Sequence, residues 1–516
     1  MRHVLHETFS SIYIFNLRGD IRKNMMSQGK AQEGDNIFDA GSMSGICISL
    51  FVKNTEKHDH NIYYHDIGNS LDLKEKKEII SKYGSIKNIE WDIIEPNEYD
   101  DWIGQRDLDF NQYITMGNKK DKNTLQIFND YSLGVATNRD AWCYNFSRFT
   151  LEKNIKKTIN FFNSSLSDKS LENSNDLSHI SWTRGLKKFH QKNEKLHYDT
   201  AKIVKSTYRP FTKTNLYFDK YLNEMQLKIP YFFPNGLNNI LIVVSGVGAR
   251  RGFSTFIVNQ IFDIQTLDNG QAFPLYLYEE SSEKKNNSDL FNNTESSTID
   301  RKYTIKDGIN DAGLKHFQEA YSSEKISKED IFYYVYGLLH NEDYHTRYAD
   351  NLTKELPRIP CVKKAEDFWT FSKAGRDLAY WHLNYETVEP YKAKLDFGNK
   401  SLQQLEDKDF YVTNMTFAKK GKEKIKDMVI YNSSITIREI PLEAYDYIVN
   451  GKSALEWVMD RQGVSTHKDS GIVNDANDWA IETMGDAKYP LNLFLRVITV
   501  SLETMKIVRS LPKLDI

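Results

Sequence analysis

A nearly continuous apolar run close to the amino terminus, Ile12-Tyr13-Ile14-Phe15-Asn16-Leu17, constrains the fold most. A strand that is apolar on both faces must be covered on both, so the run predicts an interior strand of a layered α/β sheet. Residues 45–52, Gly-Ile-Cys-Ile-Ser-Leu-Phe-Val, predict a second strand of the same kind. Two such strands need neighbours and covering helices, and few residues precede them. The expectation is therefore the tail of a larger sheet whose earlier strands lie outside this sequence.

With 516 residues, the chain has room for about two to four domains of roughly 100–200 residues. It is 40% hydrophobic and 13% aromatic, which excludes global disorder. A net charge of −3 argues neither for nor against a polyanionic partner. Cys47, Cys143 and Cys361 are too dispersed for a metal site or a disulfide framework, and predict buried free thiols. The apolar stretch at residues 491–508 carries Arg496, Glu503 and Lys506, so it predicts a helix packed on the core rather than a membrane span. No signal peptide is recognisable, and the expected location is the cytoplasm.

Further along, residues 61–67 predict a strand, 71–82 a helix, and 91–146 a turn-rich aromatic stretch. Residues 163–175 and 281–297, rich in Ser and Asn, predict surface insertions. Residues 241–244, 255–264, 273–278 and 429–437 predict strands. Helices dominate from Leu314, one opening at the capping-box-like Ser327-Lys328-Glu329-Asp330. Segments 442–449 and 454–461 predict terminal helices. The pattern is α/β at the start, then mixed α+β with a helical C-terminal region.

The sharpest charge feature is residues 181–213. Nine bases, Arg184, Lys187, Lys188, Lys192, Lys195, Lys202, Lys205, Arg209 and Lys213, face two acids, Glu194 and Asp199, for a local charge of +7. Neutralising backbone phosphates requires such a concentration, because each contact releases condensed counterions. Trp182, Phe189, Tyr198, Tyr208 and Phe211 interleave with the bases. The alternative reading is a solvated helix face that touches nothing.

A second basic feature is Ser245-Gly246-Val247-Gly248-Ala249-Arg250-Arg251-Gly252. Its glycine spacing is one residue too long for a dinucleotide fingerprint, and strand-like residues follow where that motif needs a helix. It predicts a hairpin presenting Arg250 and Arg251, residues able to pair with guanine in a major groove, or else a plain surface turn. His340 and His345 are five apart and do not share a helix face as zinc ligands. Asn16 and Arg18, ending the first strand, occupy a place where open α/β sheets carry functional groups, and fit a structural role equally well.

Several phrases, in order, resemble one family. They include Phe15-Asn16-Leu17-Arg18-Gly19, Ala40-Gly41-Ser42, Tyr63-Tyr64-His65-Asp66-Ile67-Gly68, Ala136-Thr137-Asn138-Arg139-Asp140-Ala141-Trp142, Tyr208-Arg209-Pro210-Phe211, Leu356-Pro357-Arg358-Ile359-Pro360 and Asn450-Gly451-Lys452-Ser453-Ala454-Leu455-Glu456-Trp457. Together they resemble the C-terminal part of type ISP restriction-modification enzymes. The resemblance implies that residues 1–150 are the truncated tail of a Rossmann-like adenine-N6 methyltransferase sheet. It implies that residues 151–516 are a target-recognition, or specificity, domain.

The cofactor implied for the complete enzyme is S-adenosylmethionine. This sequence shows neither the glycine loop nor the N-P-P-Y-like tetrapeptide that such catalysis needs. The expectation is therefore a module that binds double-stranded DNA without catalytic, cofactor or metal residues of its own. Its candidate DNA contacts are Arg184, Lys187, Lys188, Lys192, Lys205, Arg209, Lys213, Arg250 and Arg251. The alternatives are one half of a split methyltransferase or restriction enzyme completed by an upstream-encoded polypeptide, or an inert remnant.

Overall fold

The computed structural model describes residues 1–21, 33–39, 42–121, 123–168, 177–280, 303–421 and 423–516. The 281–297 insertion and Ala40-Gly41 therefore lie outside the described residues. The chain divides into two compact units, each built from several segments. The first comprises residues 1–112, 248–252 and 347–355, and the second the remainder. Residues 113–150, grouped with the N-terminal part on sequence, pack in the second unit.

In the first unit, helix α1 (Arg2–Thr8) leads into strand β1 (Ser11–Asn16). Strands β2 (Cys47–Val52), β3 (Asn61–Asp66) and β4 (Asp92–Ile94) complete a sheet of order β2-β1-β3-β4. Strand β1 pairs antiparallel with β2 and parallel with β3. As the apolar run requires, both faces of β1 are covered. Ile12 packs with Ile62, Trp102, Leu5 and Phe9 on one side. Phe15 packs on the other with Ile79, Ile80 and Tyr83 of helix α2 (Leu73–Tyr83). Helix α2 starts at a reciprocal capping box between Asp72 and Glu75.

Strand β2 departs from expectation. It is an edge strand, exposed along its whole length, with Ile48 51% and Leu50 42% accessible. An apolar run specifies a strand but not how many neighbours it has. Cys47 is accordingly exposed, while Cys143 is buried and Cys361 half-buried.

The buried ammonium of Lys76 locks the loop after β1. Its Nζ donates to the carbonyls of Leu17, Glu33 and Asp35 at 2.8, 3.0 and 2.7 Å. Three donors meet three acceptors, so burial leaves no N–H unsatisfied. Burial lowers the Lys76 pKa, with the charges of Glu33 and Asp35 opposing it.

The second unit is larger and of mixed α+β type. One extensive core runs from helix α3 (Arg148–Ser165) to the long C-terminal helix, residues Tyr489–Ser510. Of the expected 163–175 insertion, residues 163–165 belong to the last turn of α3, and residues 169–175 lie outside the described residues. Within this unit lie helix α4 (Arg184–Gln191), the hairpin of β5 (Ile203–Arg209) and β6 (Thr212–Tyr217), and the hairpin of β7 (Leu241–Val244) and β8 (Thr255–Val258). Helices α5 (Lys328–Leu338) and α6 (Ala365–Leu383) cross at Gly337 and Gly375. A Cβ on Gly375 would lie 1.9 Å from the Tyr333 carbonyl oxygen, so only glycine allows this approach. The capping box at Ser327 forms, with Asp330 completing it. Residues 442–449, expected to be helical, instead form one 3-10 turn and a two-residue strand. The last helix packs on the core, and no described helix is long and apolar enough to cross a membrane.

Candidate nucleic-acid interface

Helix α4 is short, and its position is fixed at its start. The Thr183 hydroxyl caps it by accepting from Leu186 N at 3.3 Å. That hydroxyl donates to Glu224 at 2.6 Å, and Gly185 N donates to the same carboxylate at 3.0 and 3.1 Å. The buried Arg139 guanidinium also donates to Thr183 Oγ1. A Cβ at Gly185 would stand 2.7 Å from Glu224 Oε2, which is why glycine follows Arg184.

Leu186 and His190 are buried, and Phe189 packs edge-on against Tyr221 at 4.8 Å. Positions 184, 187, 188 and 191 then share the opposite stripe by helical periodicity. Arg184, Lys187, Lys188 and Lys192 are all exposed. With Trp182, Thr183 and Gln191, the first three line a surface depression of about 480 Å³. Among the described residues, no carboxylate lies within ion-pair distance of Arg184, Lys187, Lys188, Lys192 or Lys195. At the head of the helix Gly185 N is taken by Glu224 and Leu186 N by Thr183, so its positive charge is offered from its side.

The second half of the basic segment is different. Lys202 is paired with Asp219 at 2.6 Å. The Arg209 guanidinium is mostly buried and donates to Asp263 Oδ1 at 2.8 Å and to the Tyr208 carbonyl at 2.5 Å. Burial works against its charge, and the adjacent Asp263 carboxylate more than restores it, so Arg209 stays protonated. Asp140 stands 3.6 Å from the same guanidinium. Lys213 donates to Glu386 at 2.6 Å, and Tyr489 donates to the other oxygen of that carboxylate. Arg209 and Lys213, expected to contact DNA, therefore spend their charge inside the fold. Lys205 is exposed and opens onto a groove of about 1110 Å³ lined also by Tyr231, Asn259, Gln260, Glu279 and Glu280.

The glycine segment forms the expected hairpin connection. Strands β7 and β8 pair antiparallel and Ser245 N bonds Ser254 O at 2.9 Å, so no helix follows the glycines. Gly248 and Gly252 have φ of +76° and +77°, which the turn needs. Arg250 is exposed and Arg251 half-buried, and Gly248–Gly252 packs within the first unit.

The other candidates resolve as structural groups. His340 is buried, with Nδ1 2.8 Å from the Tyr336 carbonyl. No cluster of metal-ligating side chains occurs among the described residues. Arg18 bonds Asp66 at 2.6 Å, and Asn16 bonds Tyr64 and Asp66, tying together the ends of the parallel strands β1 and β3.

A family model described as the Type ISP C-terminal specificity domain matches residues 126–493. The chain belongs to the Type ISP C-terminal specificity domain family. Solved Type ISP structures agree. One is a nuclease-deletion mutant of the restriction-modification enzyme LlaGI in complex with a DNA substrate mimic, 34% identical with a TM-score of 0.83 over 100% of this chain. A second is the ATP-dependent Type ISP enzyme LlaBIII bound to DNA, 35% identical with a TM-score of 0.86 over 100% of this chain. A solved DrdV–DNA complex is similar as well, 29% identical with a TM-score of 0.82 over 99% of this chain. The chain spans 45%, 32% and 48% of those three chains. No curated protein matches it.

Proposed function

We propose that this chain is the DNA target-recognition module of a Type ISP restriction-modification system, acting in the cytoplasm. The observation that carries the reading is the stripe of unpaired bases on α4, within a domain of the specificity family. Arg184, Lys187, Lys188 and Lys192 contact phosphates of double-stranded DNA and set position rather than sequence. Lys205 extends that contact. Arg250, with Arg251 beside it, supplies base contact from the hairpin turn. The N-terminal residues, up to about 112 rather than 150, derive from the end of an adenine-N6 methyltransferase domain. S-adenosylmethionine is assigned to no residue here. The glycine loop at residues 245–252 runs from β7 into β8 and offers no helix N-terminus, so no catalytic step is derived through that cofactor.

Binding of the 516-residue chain to random duplex DNA across a salt series tests the reading. Replacing Lys187, Lys188 and Lys192 together by Gln should reduce the slope of log affinity against log salt by about 2–3, at about 0.9 per phosphate. An unchanged slope would overturn the assignment of α4. Arg250→Ala should relax selectivity at one base pair by about 1–3 kcal/mol, whereas equal losses on selected and random duplexes would mean phosphate contact only.

A further inference from the structure

A second concentration of bases lies far from α4 in sequence. Strands β9 (Thr416–Lys420) and β10 (Glu423–Ile430) form a hairpin whose tip reads Ala418-Lys-Lys-Gly-Lys-Glu-Lys-Ile-Lys-Asp427. Five lysines against two acids give this stretch a charge of +3. Lys419, Lys420, Lys424 and Lys426 are exposed.

Three observations point to a polyanion. First, the hairpin outruns its sheet. The neighbouring strand β11 (Thr436–Arg438) pairs with β10 only at Val429 and Ile430, while β9 and β10 continue to the Lys420–Glu423 pair. Ile440 N still bonds the Asp427 carbonyl at 3.0 Å, and past Asp427 the structure is a two-stranded ribbon, a shape that a major groove admits. Second, Lys419 and Lys424 are direct cross-strand partners. Like charges facing each other destabilise a ladder. No carboxylate among the described residues pairs with Lys419, Lys420, Lys424 or Lys426. Of the acids around β11, Asp396 is paired with Arg438 and Glu439 with Lys394. Within the ribbon, Glu423 faces Lys420 without closing an ion pair. Third, two of the cations stand over aromatic rings. The Lys424 ammonium lies 5.5 Å from the Phe417 ring and that of Lys426 5.7 Å from the Tyr445 ring. Both rings are buried, so these lysines are held in place before any partner arrives.

We infer that the β9–β10 ribbon is a second arm that grips DNA phosphates, adding to the contact made by α4. The inference rests on the DNA-recognition reading above. The competing explanation is edge protection, since lysines on an exposed edge strand such as β9 prevent sheet-to-sheet association.

One substitution separates the two. Lys419→Glu places opposite charges across the ladder at the Lys424 register, so thermal stability should rise or hold, and the charged edge is kept. It also presents a carboxylate to the phosphates. The salt slope on random duplex DNA should therefore fall by about 1–2. The quadruple Gln variant at 419, 420, 424 and 426 should lower the slope by about 2–4 and add independently to the α4 triple variant. A slope unchanged in both ribbon variants, with the α4 variant still defective, would overturn the ribbon and leave the DNA reading standing. Aggregation of the quadruple Gln variant in the absence of DNA, with Lys419→Glu keeping the parental salt slope, would assign the lysines to edge protection and overturn it too. If the unmodified chain does not bind DNA at all, the broader reading falls and the ribbon with it.

Discussion

Helix α4 and the β5–β6 hairpin lie within one basic, aromatic stretch of sequence and put their charges to opposite uses. On and just after α4, Arg184, Lys187, Lys188 and Lys192 are exposed, with no carboxylate of the described residues in ion-pair reach. A few residues later, Arg209 and Lys213 are enclosed with Asp263 and Glu386. Local charge density is thus a weak guide to a phosphate site until the partners of each base are known. An unpaired surface cation costs the fold little and is free to replace counterions on DNA. A buried ion pair is committed, because removing one member strands the other in a poor dielectric.

The comparison breaks most directly at Arg209. Arg209→Met should lower unfolding free energy by about 3–5 kcal/mol, read by denaturant titration, by leaving Asp263 buried and unpaired. Near-native stability together with a reduced salt slope would move Arg209 into the DNA-contacting class. Next in size is a pH effect on the buried side. Burial pushes His340 down to about 4, well under the ordinary 6.5, with the nearby His345 charge acting the same way. Its neutral form is the folded one, so the unfolded chain takes up more protons between those values. Stability should therefore fall as pH drops from about 6.5 towards 4, with roughly 3 kcal/mol of the loss due to His340; burial pushes His382 down in the same way, so His340→Gln should reduce that dependence without abolishing it.

Smaller effects sharpen the exposed side. Thr183→Ala removes the cap of α4 and should cost about 1 kcal/mol, with a modest loss of DNA affinity as the basic stripe loosens. The smallest change in stability belongs to the Lys187, Lys188 and Lys192 triple Gln variant, within about 0.5 kcal/mol of the parent. A larger drop would show that these lysines support the fold after all.

How much was legible follows the same division. Apolar runs gave β1, β3 and the last helix close to their true bounds, because local pattern and burial agree there. The Ser327 cap and the β7–β8 hairpin were legible because turn and cap chemistry are local. The exposure of β2 was not, since an apolar strand carries no mark of lacking a neighbour. The partners of Arg209 and Lys213 are 54 and 173 residues away, beyond any window of sequence. The ribbon lysines were overlooked for a related reason. Acids alternate with them, and only pairing register places Lys419 opposite Lys424.

The first compact unit is not a single stretch of chain. It takes in residues 248–252 and 347–355 from the middle of the sequence. There Asn351 both donates to and accepts from the backbone of Asp107, and Arg347 bonds Asp107 and Asp109. Exchanging specificity between relatives by one crossover near Gln112 would therefore produce a chimera whose N-terminal unit carries foreign straps. A transplant that respects the way this protein is sewn together keeps Asp107 and Asp109 matched to Arg347 and Asn351, and Asp101 to Lys354.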